Sequence, residues 1–195
     1  MIGMNYSNIK YYDIANGPGV RTSLFVSGCR RHCPGCFNAG TWPFDAGTPF
    51  TAEAADRIIE SLAPDYIDGL TILGGEPFEP ENQRGLLPFL QEVRRRCPGR
   101  TVWAFSGSTW EEIFLGAPDP GGASHLGPGH ARCEVTLPLL ELIDVLVDGP
   151  FIEAQKDLRL QFRGSRNQRI LDVKASLRVG QPVSLAAYRT AREPS

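Results

Sequence analysis

The sequence predicts an α/β protein whose largely parallel sheet forms an incomplete, open (βα) barrel. Two observations lead there. Short apolar, β-rich runs alternate with segments of helical spacing, the order expected of βα units that build a parallel sheet. Only four such units can be read, too few for a closed eight-stranded barrel, which takes about 250 residues.

The elements follow in chain order. Thr22–Ser27 (TSLFVS) is a strand that runs straight into Gly28 and Cys29. Residues 28–50 are rich in Gly, Pro and Cys and read as an irregular loop. Thr51 suits a helix N-cap, and Ala54, Ile58, Ile59 and Leu62 then recur at helical spacing. Gly69–Leu73 (GLTIL) is a second buried strand, followed by Gly74-Gly75-Glu76-Pro77. Leu86, Leu87, Leu90 and Val93 form the stripe of a helix over Asn82–Arg96, which Pro98-Gly99 ends. Thr101–Phe105 (TVWAF) is a third strand, stopping at Ser106-Gly107. Trp110–Leu115 and Pro138–Ile143 are short helices, the second with proline near its first turn. Asp144–Val147 is a fourth strand, closed by Asp148-Gly149-Pro150. Gly116–Arg132, dense in Gly and Pro with almost no large apolar side chains, reads as a surface insertion within one domain of 195 residues. Patterning after about Ala175 is weak and predicts no element.

Composition bounds the function. The chain is 42% hydrophobic and 22% charged with a formal net charge of −2, ordinary for a globular protein and without the basic footprint of a nucleic-acid binder. No apolar run is long enough for a bilayer span and no secretory segment is read at the N-terminus, so the expected location is the cytoplasm. The five cysteines are an odd number, and three crowd into Cys29–Cys36. In a reducing compartment such crowding points to metal ligation or catalysis rather than to disulfides.

The chemistry-bearing stretch is Cys29-Arg-Arg-His-Cys33-Pro-Gly-Cys36-Phe37-Asn38. Three thiolates this close can converge on one centre. A cubane [4Fe–4S] cluster has four irons to ligate, so three cysteines leave one iron open to a small molecule. Two other readings stand beside this one. A structural zinc site would need a fourth ligand from His32, Cys97 or Cys133. A redox dithiol of Cys33 and Cys36 would leave Cys29 unexplained. Arg30 and Arg31 favour thiolates by their charge or, more simply, form a solvated loop face. The two glycines of Gly74–Pro77 let a ligand approach the backbone closely, or merely make a tight turn. The strands before Cys29 and before Gly74 open onto the same edge, where α/β folds bind ligands.

The spacing Cys-x3-Cys-x2-Cys with an aromatic after the third cysteine resembles the radical S-adenosylmethionine superfamily signature, and Gly74-Gly75-Glu76-Pro77 resembles that superfamily's second motif. The resemblance implies a radical S-adenosylmethionine fold, a [4Fe–4S] cluster on Cys29, Cys33 and Cys36, and S-adenosylmethionine held by its amino and carboxylate groups on the fourth iron. One electron from the cluster then breaks a carbon–sulfur bond and yields methionine and a 5′-deoxyadenosyl radical. By the same resemblance Gly35, Cys36 and Phe37 line the cofactor, and Gly75, flanked by Gly74 and Glu76, contacts its amino group.

Further motifs narrow the family. Asp13-Ile-Ala-Asn-Gly-Pro-Gly-Val-Arg21, Phe25-Val-Ser-Gly-Cys29, Leu146-Val-Asp-Gly-Pro-Phe151 and Arg163-Gly-Ser-Arg-Asn-Gln-Arg-Ile170 together resemble the activating proteins of anaerobic ribonucleoside-triphosphate reductases. The likeness spans about residues 10–173. It implies an oxidoreductase whose substrate is a protein: the large subunit of the reductase, on which a glycyl radical is formed. It also implies a reducing electron-transfer partner such as flavodoxin or ferredoxin. Asp13–Arg21 then shapes the entrance for the partner or simply packs beside the first strand. Ser106 contacts the cofactor or caps the Trp110 helix. Asp148 touches ligand or stabilises its turn. Arg163, Arg166 and Asn167 face the partner or solvent. Two features depart from the family: the length of the Gly116–Arg132 segment, and Glu76 where some activases carry Asp. The alternatives are an activase of a formate-lyase type enzyme, a radical enzyme acting on a small molecule and, from another class, a non-catalytic zinc-binding module.

Overall fold

The structure, a computed structural model, describes residues 3–122 and 125–188. Its strands are β1 (Asn5–Asp13), β2 (Arg21–Val26), β3 (Thr48–Pro49), β4 (Gly69–Gly74), β5 (Thr101–Phe105), β6 (Val145–Asp148) and β7 (Arg169–Asp172). They form one seven-stranded sheet in the order β3-β1-β2-β4-β5-β6-β7. The four inner strands β2, β4, β5 and β6 run parallel, and β1, β3 and β7 add antiparallel flanks. The end strands β3 and β7 do not pair with each other, so the sheet is open.

All four predicted strands are present within a residue or two, and they are the parallel ones. They read as near-continuous apolar runs because both faces of a parallel sheet are covered. On one face Leu24, Val26, Leu70, Ile72, Val102 and Leu146 pack against the helices. These are α1 (Ala52–Ser61), α2 (Pro80–Arg96) and α3 (Thr136–Glu141), which contribute Ile58, Leu86, Leu90 and Leu140 to the same core. Thr51 caps α1 as the sequence predicts, its side chain accepting the Ala54 N–H. The opposite face of the sheet carries Trp103, Val145, Val147 and Ile170, with Phe105, Phe162 and Tyr188 against them.

Among the described residues, three strands and one α-helix escape the sequence reading. β1 (NYSNIKYYD) is largely exposed and polar, so it lacks the alternation that marks a half-buried strand; it is held by backbone pairing to β2. β3 has two residues. β7 begins within the Arg163–Ile170 motif, and α4 (Val173–Val179) lies where patterning fades. Asp172 caps α4 through the Ala175 N–H, and Gly180 ends it at φ +73°. The predicted Trp110–Leu115 helix is a single π-helical turn over Glu111–Leu115. Among the described residues no helix is long and apolar enough to cross a membrane.

The Asp13–Arg21 segment takes the simpler of its two readings. Arg21 is fully buried and its guanidinium donates to Thr71 Oγ1 (2.7 Å), Leu70 O (2.8 Å) and Thr101 O (3.0 Å), with Trp103 beneath it. Asn16 O in turn accepts from the Thr71 hydroxyl. Arg21 thus ties the turn to the starts of β4 and β5, the end of the sheet away from the cysteines. Burial lowers its pKa to about 10, with nearby carboxylates opposing the shift. Truncation would orphan several buried acceptors at once. Arg21→Met is expected to lower the unfolding free energy by about 3 kcal/mol in urea denaturation; a loss below about 1 kcal/mol would show that the guanidinium is dispensable.

Candidate functional site

The pairing of β2 with β4 sets the site. Val26 lies opposite Gly74, so both chains leave the sheet together. Gly75 N–H donates to Val26 O (2.7 Å) and Glu76 N–H to Gly28 O (2.8 Å). The backbones are so close that a Cβ on Gly75 would stand 2.5 Å from Gly28 O. Gly74 has φ +108° and Gly28 φ +96°, values that glycine adopts without strain. A Cβ on Gly28 would also enter the Phe44 ring at 2.4 Å. Asn82, buried at the start of α2, uses its amide to join Ser27 O and Glu76 O, both at 2.9 Å.

The cysteine loop is anchored on its return. Gly28 N–H donates to Thr41 O and Cys29 N–H to Trp42 O. Cys36 N–H donates to Cys33 O, Gly35 turns at φ +73°, and Asn38 N–H points to Cys36 Sγ at 3.4 Å. The result is a cavity of about 150 Å³ whose walls include Cys29, Cys33, Cys36, Gly74, Gly75 and Glu76. Ser106, Gly107, Phe105 and Phe151 complete it from neighbouring strand ends. Phe37, beside the third cysteine, is 73% exposed and rests against Phe151.

Burial, with a contribution from Glu76, pushes the Cys29 thiol up to about 12, against N–H groups of Arg31 and His32. Burial also raises Cys33. A bound cation reverses that preference, because a metal-coordinated thiol loses its proton. Among the described residues, no group of three or more His, Cys, Asp or Glu side chains draws together as a site for a metal ion. The three thiols stand around a shared cavity instead. That suits a polynuclear centre, in which each thiolate takes its own iron, better than a single zinc. The other candidate zinc ligands lie elsewhere. His32 stacks on Trp42 at 4.6 Å, Cys97 Sγ faces Ile59 O, and Cys133 Sγ faces Gln83 Oε1.

Glu76 is buried and held by three donors: Phe78 N–H (2.9 Å), Ser106 Oγ–H (2.8 Å) and Gly107 N–H (2.7 Å). Burial nonetheless raises its pKa to about 6, only partly offset by Arg31 and these hydrogen bonds. The Ser106 hydroxyl also accepts the Ser108 N–H. Ser106 therefore lines the cavity while its polar atom serves Glu76.

The arginine pair divides: Arg30 is exposed, as a solvated face would be, and Arg31 is not. Arg30 pairs with buried Glu79 and with Glu81 at the start of α2, whereas Arg31 is buried and pairs with Glu112 at 2.7 Å. Asp148 takes the structural of its two readings: fully buried, it accepts the Trp110 N–H and pairs with Arg169. Asn167 donates to Pro150 O and accepts the Ser165 hydroxyl, and Arg163 leans on Gln168 O. Of that motif Arg166 is the one turned outward. Sequence reading missed Trp42, Gln168 and Gly149, which also line the cavity. It missed the Arg31–Glu112 pair as well. No local signal joins residues 81 positions apart.

An open α/β sheet with three thiols at its C-terminal edge defines a single-cluster iron–sulfur class of protein, and the chain matches the family described as "4Fe-4S single cluster domain" over residues 15–171. It is 39% identical over 167 residues to the anaerobic ribonucleoside-triphosphate reductase-activating protein of Escherichia coli K12, covering 85% of this chain and 96% of that one. The Vibrio cholerae protein of the same name is 40% identical with the same coverage. That of enterobacteria phage T4 is 33% identical over 86% of this chain and 93% of its own. The chain belongs to the family of anaerobic ribonucleoside-triphosphate reductase-activating proteins, and it is an activating enzyme with a 4Fe–4S cluster domain.

Two outcomes follow. Gly75→Ala, which must displace the Gly28 carbonyl, is expected to cost about 2 kcal/mol of stability in urea. Gly40→Ala, with open space around it, serves as the neutral control. The folded chain holds a proton on Glu76 more tightly than the unfolded chain, whose carboxyl titrates near 4.5. Stability contributed by this group is therefore present below pH 4.5 and is lost as pH rises to about 6, by up to about 2 kcal/mol. The difference in unfolding free energy between the parent and Glu76→Gln should vary across that window and be flat above it.

Proposed function

We propose that this chain is a radical S-adenosylmethionine activase. In this reading it carries a [4Fe–4S] cluster on Cys29, Cys33 and Cys36, binds S-adenosylmethionine at the iron they leave open, and forms a glycyl radical on anaerobic ribonucleoside-triphosphate reductase. One observation carries the reading: the three thiols and the Gly74–Glu76 turn share a single cavity at the C-terminal edge of the parallel strands. When bound, the cluster supplies the electron that splits a carbon–sulfur bond of S-adenosylmethionine, and the 5′-deoxyadenosyl radical so formed takes a hydrogen atom from the partner's glycine.

The chain's own residues bind, orient and exclude water. The cysteines give up their protons on loading. Cys36 lines the cavity and Gly35 and Phe37 flank that cysteine in the chain; a side chain on Gly35 would crowd Glu153. Gly74 and Gly75 let a ligand reach main-chain groups. Glu76, held by Ser106 and Gly107, gives the cavity wall a buried carboxylate, which would suit a ligand bearing positive charge. The open sheet, read as an incomplete barrel of the radical S-adenosylmethionine type, leaves room for a glycine-bearing loop. A flavodoxin or ferredoxin is the kind of protein that would deliver the electron.

Anaerobic reconstitution tests this. We expect about four irons per chain, a brown protein, and 5′-deoxyadenosine on addition of dithionite and S-adenosylmethionine. Cys36→Ala should abolish cleavage. Mixing with the reductase should produce a glycyl-radical signal by electron paramagnetic resonance. Stoichiometric zinc without cleavage would overturn the enzyme reading, and a radical formed only on a formate-lyase type partner would overturn the choice of substrate.

A further inference from the structure

The Gly116–Arg132 segment looks like an inert surface insertion in sequence, but its last turn is built into the interior. Ala131 is fully buried and its carbonyl accepts Gln83 Nε2 from α2 at 3.0 Å. Its neighbour His130 is only 17% exposed. His130 Nδ1 lies 2.8 Å from Gly127 O. A carbonyl can only accept, so Nδ1 carries a proton, and with the ring in its neutral form Nε2 is the acceptor. Two donors face that nitrogen: Arg31 Nη2 at 3.2 Å and Ser108 Oγ at 3.3 Å. Arg31 Nη2 also donates to Glu112 Oε2, which in turn holds the Thr109 N–H, both at 2.7 Å.

Arg31 sits midway between Cys29 and Cys33 and lines the same cavity. Its Nε is buried without a hydrogen-bond partner, and among the described residues its side-chain bonds run through Nη2. Three groups crowd that nitrogen: Glu112 Oε2 at 2.7 Å, Ser108 Oγ at 3.1 Å and His130 Nε2 at 3.2 Å, and His130 also engages the Ser108 hydroxyl at 3.3 Å. We propose that His130 is a positioning residue: by holding Arg31 it clamps the Cys29–Cys33 segment and makes the end of the Gly/Pro-rich segment part of the cysteine site. The clamp gains its catalytic meaning from the activase reading. It can be tested apart from that reading, because it acts on the protein's own thiols.

The experiment measures, residue by residue, the rate at which N-ethylmaleimide labels the cysteines of the full-length, metal-free chain, read by mass spectrometry. His130→Ala is expected to speed labelling of buried Cys29 roughly tenfold, the effect of losing one hydrogen bond to a charged group, while Cys97 is unchanged. His130→Gln, whose amide oxygen can take the place of Nε2, should return Cys29 close to the parent rate. In reconstituted protein the same order should appear in the rate at which a chelator bleaches the cluster. An unchanged Cys29 rate in His130→Ala would overturn the clamp. So would equal acceleration at Cys97, which signals general loosening, or a Gln variant as fast as Ala. If the clamp passes the labelling test and no cluster forms, it is the activase reading that fails.

Discussion

Everything at the site depends on how closely two backbones pass at the ends of β2 and β4. Gly75 and Gly28 are within the space of a single Cβ, and the two N–H groups that Gly75 and Glu76 donate to Val26 O and Gly28 O leave no room for one. That contact brings the cysteine loop and the glycine turn to one cavity. It also delivers Glu76 to Ser106 and Gly107 on the next strand, so three successive parallel strands are linked across their tips. The parallel register is what makes this possible, since it sends every one of these chain ends out on the same side.

The second organising feature is charge. The cysteine loop carries two adjacent arginines that point apart, Arg30 to the start of α2 and Arg31 to the turn after β5. Buried carboxylates at Glu76, Glu79 and Glu112 surround them. Such groups are costly in a low-dielectric interior unless paired or hydrogen-bonded, and here each has a guanidinium or several N–H donors. The loop's shape is thus set by electrostatics as much as by its glycines.

How much of this is legible in sequence depends on the range of the interaction. The four parallel strands announce themselves because they are buried on both faces and read as apolar runs. α1 and α2 show their stripes, and Thr51 its cap. The cysteines and Gly74–Pro77 are local motifs, and the sequence sets them on one edge. β1 is hard to see because most of its residues are exposed or half-buried and polar, and its place is fixed mainly by backbone pairing to β2, with Tyr6 and Ile9 against the core. The pairing of Arg31 with Glu112 and His130, and of Asp148 with Arg169, joins distant parts of the chain through geometry that no local pattern encodes. Arg31 shows the point well: beside exposed Arg30 in the same loop it looks solvated until the carboxylate of Glu112 folded against it is seen.

The position of Arg21 has a consequence for how the protein tolerates change. The guanidinium that ties the strand starts together lies at one end of the sheet, and the thiols lie at the other. Robustness and chemistry are therefore divided between opposite rims. Loops on the cysteine rim can be altered without loosening the anchor that keeps β4 and β5 aligned. A scaffold partitioned in this way can be altered on one rim while the other preserves its architecture.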